Sequence, residues 1–71
     1  MKREHVESSA LESIGYEAKT QTLELEFREN GGVWQYLKLS PTFYKKFRQA
    51  NSLGRFFVKK IKGKFEEVRV D

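Results

Sequence analysis

The chain has 71 residues, with 14 Lys and Arg, 10 Asp and Glu, one His and no Cys, for a net charge of +4. A chain this short buries only about 60% of the surface its unfolded form exposes, which allows one small core and excludes two. The missing Cys excludes disulfide staples and thiolate metal sites, and no apolar run approaches the roughly 20 residues of a membrane-spanning helix. A single domain in the cytoplasm is therefore expected, held by apolar packing in which six Phe, three Tyr and one Trp carry most of the buried area.

Residues 1–10 contain no apolar stretch of the signal-peptide kind, and the polar residues 1–6 are expected to be loose. Leu11, Ile14 and Tyr16 around Gly15 predict a first strand, and the polar residues 17–21 a turn. Residues 20–28 alternate strictly, with Leu23, Leu25 and Phe27 apolar and Thr22, Glu24, Glu26 and Arg28 polar, which predicts a strand with one wet face. On that face Glu24 and Glu26 are expected to be ordinary solvated carboxylates. Asn30, Gly31 and Gly32 tolerate positive φ and predict a reversal into a third strand over residues 33–39.

Ser40 before Pro41 predicts a helix start, with the hydroxyl as cap and proline at the first helical position. The helix is expected over residues 41–50, with Phe43, Phe47 and Ala50 inward and Lys45, Lys46, Arg48 and Gln49 toward solvent. Asn51 and Ser52 interrupt it. A shorter helix is expected from Leu53 or Gly54 to Lys62, with Phe57 and Ile61 on one face and Gly63 as a left-handed stop. Residues 64–70 alternate again and suit a short edge strand. The predicted class is α+β: a three-stranded antiparallel β-meander packed against two short C-terminal helices, with that terminal strand as an addition.

These segments resemble the KTSC domain, named after the C-terminus of certain lysyl-tRNA synthetases and found also as small stand-alone bacterial or phage proteins. The resemblance rests on an ordered set: Ser13-Ile14-Gly15-Tyr16, the strand Thr22-Leu23-Glu24-Leu25-Glu26-Phe27, the aromatic pair Trp34 and Tyr36, Ser52-x-Gly54-x-Phe56-Phe57, and Ile61-x-Gly63-x-Phe65. It covers nearly the whole chain, from Val6 to about Val70. Trp34 stands where the family's Tyr-x-Tyr motif has its first Tyr. The resemblance implies a small α+β domain for which RNA binding is a suggested role.

Charge is unevenly placed. Seven of the ten carboxylates precede Val33, whereas from Lys38 to Lys64 there are nine Lys or Arg and no Asp or Glu. Such a run fits a polyanionic partner, because clustered Lys and Arg bind phosphates with release of counterions; the competing explanation is a solvated helical surface. On the first view Lys45, Lys46, Arg48, Arg55, Lys59, Lys60 and Lys62 are the phosphate contacts. Trp34 and Tyr36 point to one side of their strand. Exposed, they or Tyr44 would stack unpaired bases; facing the helices, Trp34 and Tyr36 are core, which a small domain favours. At the junction Asn51, Ser52, Gly54 and Arg55, capping explains most of the pattern, while Arg55 and Lys59 leave room for an anion.

Nothing in the sequence points to catalysis. His5 between Glu4 and Glu7 is not a metal-ligand set. Ser8 and Ser9 have no histidine in a recognisable relation to them, and no Gly-rich phosphate loop or HExxH pattern occurs. The expected function is non-catalytic RNA binding through a basic helical face, without cofactor or metal. The alternatives are a protein-interaction module docking through an aromatic patch that includes Trp34 or Phe56, and docking on anionic lipid, which requires exposed Phe43 and Phe57.

Overall fold

Strands β1 (Glu4–His5), β2 (Leu11–Glu17), β3 (Thr22–Phe27), β4 (Gly32–Tyr36) and β5 (Glu67–Arg69) form one antiparallel sheet in chain order. Helices α1 (Pro41–Arg48) and α2 (Leu53–Phe56) are inserted between β4 and β5, and α2 runs on into a π-helical turn, Phe57–Ile61. The computed structural model describes residues 1–71. The meander therefore has five strands where three and a short terminal strand were expected; β5 lies within residues 64–70, the segment that suited the terminal strand. The extra edge strand β1 lies in the segment expected to be loose. Its two residues carry no alternation to read; they are placed by pairing of Glu4 with Ile14 and His5 with Ser13.

Register sorts the side chains by face. Ile14, Leu25 and Trp34 lie opposite one another across β2, β3 and β4, as do Tyr16, Leu23 and Tyr36. This face carries the helices, and Leu11, Ile14, Leu23, Leu25, Tyr36, Leu39, Phe47, Phe57 and Ile61 close into one buried cluster. Phe47 has no exposed surface, so its truncation to Ala would cost about 3–5 kcal/mol. The register slips between Leu11 and Ser13, and Glu12, the extra residue of this bulge, accepts from Arg28 (2.6 Å) and contacts His5 Nδ1 (3.1 Å).

The outer face is less simple than alternation suggests. Glu24 is 7% exposed and accepts hydrogen bonds from Arg3 and from Gln35 Nε2 (2.9 Å). Ser13 Oγ accepts from Arg3 Nε (3.0 Å) and donates to Glu26 (2.8 Å). Burial pushes the Glu24 carboxyl up, but the hydrogen bonds from Gln35 and Arg3, with the Arg3 charge, outweigh it and hold the group below its ordinary value. Glu24 is thus a paired, desolvated carboxylate and not the solvated one expected.

The β3–β4 reversal also differs in detail. Gly31 N–H donates to Arg28 O (3.2 Å), and the positive φ values between them belong to Glu29 (59°) and Asn30 (63°). That pair of left-handed residues matches the right-handed twist of the strands; Gly32 follows at 89°, while Gly31 is not left-handed.

In α1, Ser40 Oγ accepts from Phe43 N–H (3.1 Å) and Pro41 occupies the first turn. The helix ends at Arg48, two residues before the expected limit. Ser52 caps α2 by accepting from Arg55 N–H (3.2 Å). The second half of the expected helix is π-helical, with Lys62 N–H donating to Phe57 O (2.8 Å). Phe57 and Ile61 still face the core, and Gly63, at φ 75°, ends the element as expected.

Candidate nucleic-acid interface

With the helices on one face of the sheet, the basic run between Lys38 and Lys64 becomes the outer surface of the helical layer. Lys45, Lys46 and Arg48 occupy the last turn of α1 and are exposed, where positive charge also complements the C-terminal end of the helix dipole. Arg55 in α2, Lys59 and Lys60 in the π turn, and Lys62 beyond it are exposed too. The ion pairs of the chain are Arg3 with Glu24, His5 and Arg28 with Glu12, and Arg48 with Glu4. Of the seven cations assigned to phosphate, Arg48 alone is so engaged. Its guanidinium is held by Glu4 and also donates to Tyr44 Oη (3.2 Å). The other six have no carboxylate within 4.0 Å.

Three of these six meet. A groove of about 270 Å³ between the Asn51 and Ser52 connection and the second helix is lined by Arg55, Lys59 and Lys60, with Asn51 and Phe56 among its lining residues. The π turn contributes to this grouping: closing its hydrogen bonds over five residues instead of four, it under-winds the chain and brings Lys60 round nearer the side that carries Arg55. The same connection walls a second depression of about 400 Å³ toward Ser8, Ser9 and Arg48. The largest depression, about 660 Å³, lies by the β3–β4 reversal, where Glu12, Glu26, Glu29 and Asp71 accompany Arg28 and Arg69. Four carboxylates against two engaged arginines make it unsuited to a polyanion despite its size.

The aromatic residues are redistributed. Tyr36 is 2% exposed and packs edge-on to Phe57, so it belongs to the core and offers no stacking face. Burial, together with Glu67, pushes its phenol well above the usual tyrosine range. Trp34 is half-buried; its Nε1–H donates to Gly31 O (3.0 Å), and the Arg69 guanidinium lies 5.8 Å from the ring centroid. Tyr44 is stacked on Tyr16. Phe56 is the aromatic side chain that borders the basic groove, held at 5.6 Å from both Phe43 and Phe47. Phe56 is not among the residues expected from the sequence to meet nucleic acid. The available signal was its place beside Arg55 and one residue off the inward Phe57 and Ile61 face.

The lipid alternative loses its insertion surface, since Phe57 is buried and Phe43 is wedged between Phe56 and Phe65. No helix is long and apolar enough to cross a membrane, and no three His, Cys, Asp or Glu gather to hold a metal ion.

The KTSC domain model matches residues 7–65. The chain belongs to the KTSC family. A crystal structure of a KTSC domain protein from Yersinia pestis superposes with a TM-score of 0.93 at 41% identity, covering 99% of this chain and 97% of that one. A lysine–tRNA ligase of Nostoc punctiforme is 43% identical over 60 residues, 84% of this chain and 10% of the ligase. An uncharacterized protein of Stutzerimonas stutzeri is 40% identical over 57 residues, 80% of this chain and 79% of its own length. The KTSC domain thus spans about a tenth of the ligase it matches and most of the smaller relative.

Proposed function

We propose that this KTSC domain is a non-catalytic nucleic-acid-binding module whose partner is RNA. The observation that carries the proposal is the helical layer itself. Lys45, Lys46, Arg55, Lys59, Lys60 and Lys62 are exposed without carboxylate partners, and three of them share one groove. Cations left unpaired by the fold are free to neutralise phosphates and so release the counterions condensed on a nucleic acid. RNA is favoured over DNA because several relatives are lysine–tRNA ligases, proteins named for a tRNA substrate. Contacts of this kind fix position and carry little sequence information.

The protein-interaction alternative has narrower support. Trp34 and Phe56 are half-buried, and the large apolar side chains that are exposed, Met1, Val58, Val68 and Val70, include no aromatic anchor of the sort that dominates interface energies.

The test is a titration of the domain with single-stranded RNA, a tRNA and a duplex DNA at several salt concentrations. A log–log slope of about −3 or steeper is expected. Arg55→Glu with Lys59→Glu, in a folded protein, should weaken binding at least about ten-fold near 50 mM salt and flatten the slope by about 2. Unchanged affinity in the folded double variant would sink the proposal.

A further inference from the structure

We infer that the groove at Arg55, Lys59 and Lys60 is a single-nucleotide subsite that takes one unstacked nucleotide of a single strand, with its base against Phe56 and its phosphate on the three cations. The inference rests on the RNA-binding proposal and sharpens it. Three observations carry it. First, size: at about 270 Å³ the groove falls just below the ~300–1,000 Å³ of small-molecule pockets, a scale that suits a single nucleotide. Second, chemistry: Arg55, Lys59, Lys60, Asn51 and the aromatic residue Phe56 line one depression, the residue types by which unpaired bases and their phosphates are held together. Third, rigidity: Phe56 is braced edge-on by Phe43 and at a tilt by Phe47, both at 5.6 Å, and Phe47 is wholly buried. The ring is fixed before any ligand arrives, so little is lost in ordering it.

The aromatic residues that the sequence offers for base stacking do not compete for this role. Tyr36 is core, Tyr44 is covered by Tyr16, and Trp34 is bordered by Arg69. A duplex keeps its bases stacked and paired, so only its phosphates would meet the cations. The subsite therefore discriminates single strands from duplexes.

The experiment compares four ligands on the unmodified protein at one salt concentration: a short single-stranded oligoribonucleotide, the same strand with abasic spacers in place of its bases, a duplex of the same length, and inorganic polyphosphate. The intact single strand is expected to bind about 5- to 150-fold more tightly than the abasic strand, the range of one stacked base, with equal salt slopes because the phosphates are the same. Phe56→Leu, checked for folding by circular dichroism, should remove that difference and leave polyphosphate binding unchanged. Equal affinity for intact and abasic strands would overturn the subsite while leaving polyanion binding intact. Absence of binding to all four ligands would overturn both.

Discussion

Tyr16 of β2 and Tyr44 of α1 are stacked face to face, with ring centroids 4.4 Å apart and planes 9° from parallel. The pair ties the sheet to the first helix at a point where each ring also has a polar anchor. Tyr16 Oη donates to Leu39 O (2.5 Å), and Tyr44 Oη accepts from Arg48. Arg48 in turn meets Glu4, so one run of contacts joins β1, α1, β2 and the residue preceding the Ser40 cap.

Loss of the stack should be costly. Tyr44→Ala is expected to destabilise the domain by about 0.5–1.5 kcal/mol beyond the lost area. Tyr16→Phe should cost about 0.5–1.5 kcal/mol through the lost hydrogen bond to Leu39 O. Urea unfolding at neutral pH measures both.

Alkaline pH should unfold the domain more readily than ordinary tyrosines would require. Burial pushes the Tyr16 and Tyr44 phenols up, in Tyr44 with Tyr16 adding to it. A folded-state value raised above the unfolded one, about 10, gives stability that is complete below that pH and lost as pH rises through the folded values. Urea midpoints measured at rising pH, followed together with tyrosinate absorbance, should show this decline, and a shallower one in Tyr16→Phe.

Acid behaviour should centre on Glu24. Its value is depressed in the fold, so the stability it confers is complete above the unfolded carboxylate value, about 4.3, and is lost as pH falls through the folded value. Glu24→Ala removes two charge-assisted hydrogen bonds from a nearly buried site; about 1.5–3 kcal/mol should be lost at neutral pH. The variant's stability should then vary less with pH on the acid side. Denaturant midpoints from neutral to acid pH check both.

Gly15→Ala should disturb β1 selectively. A Cβ at residue 15 would stand 2.8 Å from Lys2 O and 3.0 Å from Arg3 Cγ, so the N-terminal segment has to move. The cost expected for such overpacking is about 1–3 kcal/mol. Hydrogen exchange should accelerate at Val6 N–H, which donates to Glu12 O, with little change at Leu25 or Trp34 in the middle of the sheet.

The central strands and the cap of α1 were legible because each rests on a local rule. Leu23, Leu25 and Phe27 alternate with polar residues, Ser40 precedes Pro41, and Phe57 and Ile61 stand four apart. What stayed hidden depends on contacts between distant residues. The two residues of β1 are too few for a period. Arg48 reads as a free surface cation until Glu4, 44 positions away, is seen to hold it. The four-residue spacing of Phe57 and Ile61 fits an α-helix as well as a π turn, so neither the under-wound turn nor the groove beside it could be read from spacing. Tyr36 was on the correct face, and only packing decided between core and platform.

Glu4 should act as a partial mask on the basic surface. The Arg48–Glu4 pair is half exposed on both sides, so its loss should change stability by no more than about 1 kcal/mol. Glu4→Gln should nevertheless free one cation, strengthening RNA binding and steepening the log–log salt slope by up to about 1. Unchanged affinity and slope would place Arg48 outside the contact surface.

The π turn can also be seen as a matter of chain length. It spends one residue more than an α-helix needs to cover the same path, and Val58, 60% exposed, is its residue with least to do in the core. A homologous chain shorter by one residue here, wound as an ordinary α-helix, would place the two lysines three and four positions after the arginine, still on its side of the helix. The π turn thus lets the chain carry one extra residue without losing either the core contacts of Phe57 and Ile61 or the grouping of the cations.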